Sequence, residues 1–374
     1  MVASPPLMGE AGRGLVLLIF MAMQVDVLII GQGICGTMLS WFLHKEGKSF
    51  VVIDKEKENT ASKVAAGIIN PVTGRRYVYT WMIDEVMPFA EQVYNELGMY
   101  FDTKYIFHKS IIDFFPSAQM RDAFTTRITE NDTYLHSYPD QNHFNPFFNY
   151  DFGCGEIKPA SIVNIQLLLA DWRKRLIQLQ ALMEEEFVLQ ELKIEQGFIT
   201  YQNITAQKIV FCDGISGFQN PWFKALPFSP NKGEALIIEC SDLPNEHLFK
   251  KGLMLVPLSE PHTFWVGSNY KWEFENDQPT EEFYNYATTV LKGWLKKPFK
   301  VLSHKAAVRP ATLERRPFVG FHPLYPSIGI LNGMGTKGTS LAPFFANQLA
   351  QHITLGTPIA PEADVHRFSR ILSK

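Results

Sequence analysis

Three glycines and one aspartate near the start of the chain have the types and spacing of a dinucleotide-binding site. Gly31, Gly33 and Gly36 form the pattern G-x-G-x-x-G, and Asp54 follows Gly36 by 18 residues. Glycines here allow a tight turn, close approach of a pyrophosphate and close helix–sheet packing, while the aspartate accepts hydrogen bonds from a ribose. The following helix would offer free N–H groups to the phosphates. The pattern predicts an adenine dinucleotide site and redox chemistry; the alternative is a glycine turn in an unrelated α/β protein.

A second glycine cluster lies near the other end of the chain and contains a lysine. Gly333, Gly335 and Gly338 follow a predicted strand and precede a predicted helix, and Lys337 lies among them. A helix N-terminus and a lysine together stabilise negative charge, such as the charge that a reduced flavin develops at its N1/O2 edge. The alternative is an ordinary helix start with Lys337 in solvent.

The elements that must position both turns are predicted from the hydrophobic pattern. Apolar runs predict core strands at 25–30, 50–53, 206–211 and 328–332. Amphipathic periodicity predicts helices at 37–44, 84–100, 161–183, 279–296 and 338–353. Shorter strands are predicted at 105–107, 111–115, 187–189, 198–200, 234–239, 253–257 and 263–267.

Composition restricts the class of protein. The chain has 374 residues, 46% hydrophobic and 20% charged, which suits a globular protein of two domains or one large domain. A net charge of −3 gives no electrostatic reason to expect a nucleic acid. The four cysteines lack C-x-x-C spacing, so neither a metal site nor a disulfide framework is predicted, and a cytoplasmic location is expected.

The first residues are treated separately. An apolar run at 15–20 follows Arg13 and resembles a signal-peptide core, but it is too short to span a membrane. Met21 and Met23 come just before the first predicted strand. We therefore interpret 1–23 as an N-terminal extension from an upstream start codon, with export as the alternative.

Six segments, in order, resemble the D-amino acid oxidase superfamily of FAD-dependent oxidoreductases, which includes glycine oxidase and sarcosine oxidase. They are VDVLIIGQGICG at 25–36, VVIDKE at 51–56, ASKVAAGIINP at 61–71, QKIVFCDGISG at 207–217, VRPATLERRPFVG at 308–320 and GILNGMGTKGTSLAP at 329–343. The resemblance implies an α/β fold in which a Rossmann-like FAD-binding domain is interleaved with an α+β substrate domain built on an antiparallel β-sheet. The expected bounds are 24–83, 152–220 and 302–374 for the FAD-binding domain, and 84–151 and 221–301 for the substrate-binding domain.

The resemblance also implies roles for matching residues. Arg309 matches the arginine that binds the substrate carboxylate in glycine oxidase-like members, and Lys337 would stabilise reduced flavin. The alternative for Arg309 is a structural salt bridge. The implied cofactor-binding residues are Gly31, Gly33, Ile34, Cys35, Gly36, Asp54, Lys55, Ser62, Ala65, Ala66, Gly67, Val188, Asp213, Gly214, Gly333, Gly335, Thr336, Lys337 and Gly338.

Some positions depart from the family pattern. Arg309 stands where sarcosine oxidases have the cysteine that attaches the flavin, so non-covalent FAD is expected. Trp265 stands where those enzymes have an oxygen-activating lysine, which opens the possibility of a dehydrogenase. Met254 replaces a substrate-binding tyrosine. We interpret Arg75 and Arg76 as part of a solvated face, with binding of an anionic substrate group as the alternative.

The implied activity is oxidation of the C–N bond of a small amino acid or secondary amine, by hydride transfer to flavin N5, giving an imine that hydrolyses. The expected partner is that small molecule, without a nucleic acid, metal or membrane span. Three alternatives stay open: a relative of the flavin domain that acts on modified tRNA wobble uridine, a 2-hydroxy-acid dehydrogenase, and a non-catalytic flavin-binding protein.

Overall fold

The computed structural model describes residues 23–130, 132–195 and 197–374. The predicted N-terminal extension lies outside these ranges, except for Met23, which begins the first strand. Within the described ranges, no helix combines the length and the apolar character that a membrane crossing requires.

Two large β-sheets, one two-stranded β-sheet and the helices around them make up most of the described chain. The strands, β1 to β19 in chain order, are Met23–Ile30, Phe50–Ile53, Ile68–Ile69, Val72–Thr73, Val78–Tyr79, Ile106–Phe114, Leu135–Ser137, Cys154–Val163, Leu182–Met183, Leu192–Glu195, Phe198–Tyr201, Ile204–Phe211, Asn231–Glu239, Leu248–Lys251, Leu253–Pro257, Thr263–Gly267, Lys300–Arg309, Phe318–Phe321 and Ile328–Asn332. The helices, α1 to α8, are Ile34–Lys45, Ala61–Val64, Ile83–Phe101, Ala118–Thr129, Ile165–Gln178, Glu281–Trp294, Gly338–Leu355 and Ser369–Leu372.

The first sheet has the order β10-β11-β12-β1-β2-β9, with β19 beside β12 and β18 beside β19. Its central strands β2, β1, β12 and β19 pair in parallel. Strand β1 is apolar on both sides because both sides are covered: Val27 and Ile29 belong to a core shared with α1, α3, α5 and α7, whereas Leu28 and Ile30 belong to a core on the opposite face. Both glycine turns follow strands of this sheet.

The second sheet has the order β17-β13-β16-β15-β14-β6-β8-β3, with β7 beside β8. Its pairs are antiparallel except β14 with β6. A third core, which includes Phe114, Phe249 and Trp294, lies between this sheet and α6. The predicted combination of a parallel sheet and a separate antiparallel sheet in an α/β protein is confirmed.

Two predicted elements are wrong. The helix predicted at 161–183 is strand β8 up to Val163, then helix α5 over Ile165–Gln178, because the Asn164 side chain accepts a hydrogen bond from the Leu167 N–H and begins the helix there. Residues 187–189 form no strand. Strands β8 and β17 both belong to the second sheet, although the expected bounds place most of their residues in the FAD-binding domain. The domain bounds stay a prediction.

Candidate cofactor and substrate site

The first glycine turn is shaped by close backbone contacts. Gly31 has φ +98°, and a Cβ atom on it would lie 2.6 Å from the Cys212 carbonyl oxygen. A Cβ on Gly36 would lie 1.9 Å from the Gly31 carbonyl oxygen, so helix α1 packs directly on the turn. A Cβ on Gly33 would meet only Ser62 Oγ, at 3.2 Å. The fold therefore requires glycine at positions 31 and 36, whereas a side chain on Gly33 would contact only Ser62 Oγ.

The start of α1 offers unpaired N–H groups. Gly33 precedes the helix and gives it no side-chain cap. Ser62 Oγ accepts a 3.0 Å hydrogen bond from the Ile34 N–H, whereas the N–H groups of Gly33, Cys35 and Gly36 have no partner in the part of the chain that the structure describes. Unpaired N–H groups at a helix start are what a pyrophosphate needs, so these residues fit FAD.

The carboxylate of Asp54 is already engaged by the protein. Its Oδ1 accepts from the Gln32 N–H at 2.8 Å, and its Oδ2 accepts from Arg173 Nη1 at 2.9 Å. Arg173, which is buried, also contacts the Gln32 side chain and Glu184. Each carboxylate oxygen keeps a second lone pair, so Asp54 would still accept from a ribose. Arg173 was not predicted as a site residue.

A groove opens beside this ion pair. It has a volume of about 380 Å³ and is lined by Gln32, Lys63, Arg173 and Lys305, among others.

Two predicted cofactor-binding residues, Lys55 and Val188, are engaged by other residues of the protein. Lys55 pairs with Glu186 at 3.2 Å on the surface, and the Val188 N–H donates to Tyr201 Oη at 3.1 Å. The family resemblance implies that Val188 contacts the adenine, and since its N–H is engaged, that contact would come through its side chain; the residue is 37% exposed.

Asp213 lies at the end of β12, beside the first turn. Burial raises its pKa to about 7, although hydrogen bonds from Asn220 and Asn332 oppose the rise. Asn332 Nδ2 donates to both Asp213 Oδ1 and the Gly214 carbonyl oxygen, at 3.1 and 2.8 Å. The ends of β12 and β19 are therefore joined where the predicted site places the phosphates.

The small-residue segment that follows α2 lies against the second sheet. Gly67 has φ +73°, and a Cβ on it would lie 1.9 Å from the Val163 carbonyl oxygen in β8. Trp265 of β16 donates from Nε1 to the Val64 carbonyl oxygen at 2.9 Å. Trp265 therefore contacts the chain directly before Ala65 and Ala66, and the family resemblance implies that these two residues lie along the pyrophosphate and isoalloxazine of FAD.

The second glycine turn also has free N–H groups and is tied to the Arg309 strand. The N–H groups of Thr336 and Gly338 have no partner among the described residues, whereas the Gly335 N–H donates to the Pro310 carbonyl oxygen at 3.1 Å. Gly333 has φ +81°, and a Cβ there would lie 2.7 Å from the Thr312 side chain.

Lys337 precedes helix α7 and lies near two other cations, Arg315 and Arg316. Burial, and after it the charges of Arg316 and Arg315, lower the pKa of Lys337. Arg316 lies 4.2 Å from the ring centroid of Trp81. No carboxylate forms an ion pair with Lys337 within the described ranges. The turn therefore has the positive charge that reduced flavin would need.

The guanidinium of Arg309, at the end of β17, is held by neutral groups. Nη1 donates to Asn231 Oδ1 at 2.7 Å and to the Asn269 carbonyl oxygen at 3.2 Å, and Nη2 donates to Ser268 Oγ at 2.7 Å. The ring centroid of Tyr270 lies 4.8 Å from Cζ. Burial lowers the pKa of Arg309, and Tyr270 opposes the change.

Arg309 has no acidic partner in the described part of the chain, so the structural salt bridge that the sequence left open is not formed there. Among the described residues its Nε–H has no partner, and only one bond is made by the two hydrogens of Nη2. Nε and Nη2 form the edge of a guanidinium that can bind both oxygens of a carboxylate.

Sequence reasoning missed the residues that make room for Arg309. A Cβ on Gly233 of β13 would lie 1.8 Å from Arg309 Nη2, so only glycine leaves space for the guanidinium. Gly233 directly precedes the strand predicted at 234–239, and only the observed start of β13 at Asn231 shows that it is a glycine inside a strand, where close approach of another group is common. Arg75 and Arg76 are exposed in the β4–β5 turn, and Met254 pairs with Gly267.

The described residues contain no cluster of histidine, cysteine or acidic side chains able to hold a metal ion. All four cysteines are free thiols, and burial raises the pKa of Cys35 to about 12.

Comparisons with known proteins agree with this architecture. The family model described as DAO, FAD dependent oxidoreductase, matches residues 26–352. Iminodiacetate oxidase from Chelativorans sp. BNC1 is 18% identical, with a TM-score of 0.74 over 92% of this chain and 98% of its own. Glycine oxidase from Geobacillus kaustophilus is 16% identical, with a TM-score of 0.76 over 93% and 98%. L-proline dehydrogenase from P. horikoshii is 15% identical, with a TM-score of 0.72 over 94% and 99%. At these identities the three structures establish the fold alone.

Proposed function

Because the chain belongs to the DAO family of FAD-dependent oxidoreductases, we propose that it oxidises the carbon–nitrogen bond of a small amino acid or secondary amine that carries a carboxylate. The observation that carries this proposal is the unpaired edge of Arg309. Within the described ranges this half-buried cation has only neutral acceptors, so it has lost hydration without gaining an ion pair, and an anionic ligand supplies the missing partner.

The residues of this chain would act by binding and orientation. Arg309 would hold the carboxylate through Nε and Nη2, and the hydrogen bond from Gly335 to Pro310 would fix that carboxylate relative to the second glycine turn. Lys337, with the N–H groups of Thr336 and Gly338, would stabilise negative charge at that turn. FAD, when bound, supplies a hydride acceptor at N5, and the imine formed from the amine is hydrolysed by water.

We also propose that FAD is held without a covalent bond. Arg309 stands where a cysteine would be needed, and Cys35, the cysteine within the first turn, is a neutral thiol of raised pKa beside the predicted pyrophosphate. Acid precipitation of the holoprotein should therefore leave all of the flavin in the supernatant.

The test is an anaerobic absorbance titration of the FAD-loaded protein with sarcosine, glycine, proline, D- and L-amino acids and 2-hydroxy acids. Loss of the oxidised flavin's visible absorbance on adding an amine supports the proposal and identifies the substrate class. Reduction of the flavin by 2-hydroxy acids alone would mean that the substrate is a 2-hydroxy acid and not an amine. Protein that binds FAD but is reduced by none of them would contradict the proposal.

A further inference from the structure

One loop lies directly over Arg309. Residues 268–280, which we call the strap, connect β16 to α6. Its first residues make contact with the guanidinium: Ser268 Oγ and the Asn269 carbonyl oxygen accept its hydrogen bonds, and the Tyr270 ring lies against it. Whatever binds to the unpaired edge of Arg309 therefore lies beside the strap.

Both ends of the strap are bound to one buried carboxylate. Glu234 of β13 has no exposed surface. Its backbone N–H donates to Asn269 Oδ1 at 2.9 Å, and its Oε1 accepts from Asn269 Nδ2 at 3.2 Å. At the other end, its side chain accepts from the Thr280 N–H at 2.6 Å and from Thr280 Oγ1 at 2.9 Å.

The middle of the strap is fixed as well. The backbones of Lys232 and Lys271 exchange two hydrogen bonds, of 2.7 and 3.0 Å, and Lys232 Nζ donates to the Gln278 carbonyl oxygen at 2.8 Å. A buried carboxylate is costly unless its oxygens are satisfied, and here Asn269 and Thr280 satisfy them. The strap is therefore bound to β13 on both sides of its exposed centre, at Asn269, Lys271, Gln278 and Thr280.

The strap presents two aromatic rings to solvent. Tyr270 is 52% exposed and Trp272 is 60% exposed, and their rings stack with centroids 6.0 Å apart and an interplanar angle of 24°. Trp272 has no hydrogen bond and no other ring contact among the described residues. A rigid loop that exposes a stacked aromatic pair beside an unpaired guanidinium offers a binding surface for an aryl group attached to a carboxylate.

We propose, resting on the amine oxidation proposed above, that the substrate is an aryl-substituted amino carboxylate. Its carboxylate binds the Nε/Nη2 edge of Arg309, and its ring packs on Tyr270 and Trp272. Because the Tyr270 ring contacts both Arg309 and Trp272, its position sets the distance between the carboxylate and the ring of the substrate. Substrates without a ring bind through Arg309 alone.

The experiment compares two carboxylates that lack an oxidisable amine. Calorimetry on the FAD-loaded protein measures Kd for phenylacetate and for propionate. We expect phenylacetate to bind about tenfold more tightly, since an aromatic contact and the apolar area it buries are of that order. Trp272→Ala should bring the two Kd values together by weakening phenylacetate alone. Tyr286→Ala, at a tyrosine of α6 that is 51% exposed, is the matched control and should leave both unchanged.

Equal Kd values in the unmodified protein, or an unchanged ratio in Trp272→Ala, would overturn the aryl assignment. So would an equal change in Tyr286→Ala. The failure of the proposed function has a different result: no amine, aryl or not, reduces the flavin, while phenylacetate still binds preferentially. Reduction by glycine or sarcosine as efficiently as by phenylglycine or phenylalanine would retain the function and remove the aryl assignment.

Discussion

The backbone N–H of Gly335 donates a 3.1 Å hydrogen bond to the carbonyl oxygen of Pro310. Pro310 directly follows Arg309, and Gly335 is two residues before Lys337. The group proposed to hold the substrate carboxylate and the group proposed to stabilise reduced flavin are therefore joined through one short backbone contact. Such a link fixes the orientation of substrate relative to cofactor, which is how a protein contributes most when the cofactor supplies the chemistry.

Arg309→Ala should raise KM for a carboxylate substrate about 10- to 100-fold, because charge-assisted hydrogen bonds of about 1.5–3 kcal/mol are lost. The value of kcat should change much less, since the carboxylate is bound equally in the ground and transition states. Steady-state kinetics measures both. Arg75→Ala, in the exposed β4–β5 turn, is the control and should leave KM unaltered. An unaltered KM in Arg309→Ala would remove the carboxylate role.

Gly233→Ala should displace Arg309 while leaving the fold intact. The added methyl would lie 1.8 Å from Nη2, and the end of a flexible side chain yields more easily than backbone. We expect KM for the carboxylate substrate to rise by about tenfold or more, since losing one charged hydrogen bond has that effect.

Gly293→Ala is the matched control, because a Cβ there has nothing within 4 Å. It should leave KM unchanged, and the thermal midpoint should rise slightly because alanine stabilises a helix better than glycine does. If Gly233→Ala keeps the KM of the unmodified protein, the observed position of the guanidinium is not the one that binds substrate.

Lys337→Met should make the bound flavin harder to reduce. Removing a cation from the second turn destabilises the anionic reduced form, and we expect the midpoint potential to fall by about 30 mV, which equals about 1.4 kcal/mol for a two-electron couple. Burial and the nearby Arg316 lower the pKa of Lys337, so the difference from the unmodified protein should diminish at alkaline pH. A spectroscopic redox titration measures it.

Lys292→Met removes an exposed lysine of α6 and is the control for net charge. Its potential should equal that of the unmodified protein. An equal decrease in both variants would assign the effect to overall charge, and no decrease in Lys337→Met would place the lysine away from the flavin.

The features that the sequence predicted well are local ones. The glycine turn at Gly31–Gly36 and the turn that contains Gly335 each lie within a few residues, and the strands before them are mostly apolar and largely buried. The helix predicted at 161–183 was wrong at its start because Ile162 and Val163 continue an apolar pattern that fits both states, and pairing with β3 and β6 decides for a strand. The hydrophobic periodicity alone does not show that β3 and β6 pair with these residues.

The surroundings of Arg309 were beyond sequence reasoning for the same reason. Its hydrogen-bond partners Asn231 and Ser268 lie 78 and 41 residues away and reach it only because β13 pairs with β17 and β16. The Asp54–Arg173 ion pair spans 119 residues. The family resemblance implied that Arg309 would bind a carboxylate of the substrate, but only the fold shows that no carboxylate of the described chain takes that place.

Asp213→Asn should change how the stability of the apoprotein depends on pH. In the folded state, burial raises the pKa of Asp213 to about 7 from an ordinary value of 3.8. Between these values the folded state holds a proton that the unfolded state has lost, so the contribution of Asp213 to stability falls as pH rises through this window, with a limiting slope of about 1.4 kcal/mol per pH unit. Above the folded-state pKa the contribution is constant. Asparagine does not titrate, so Asp213→Asn should be more stable than the unmodified protein at pH 8 and lose that advantage towards pH 4.

Denaturant unfolding at several pH values measures this difference in stability. The control variant Asp122→Asn, at an exposed aspartate, should show no such difference. Parallel pH profiles for Asp213→Asn and the unmodified protein would mean that Asp213 is ionised in the folded state.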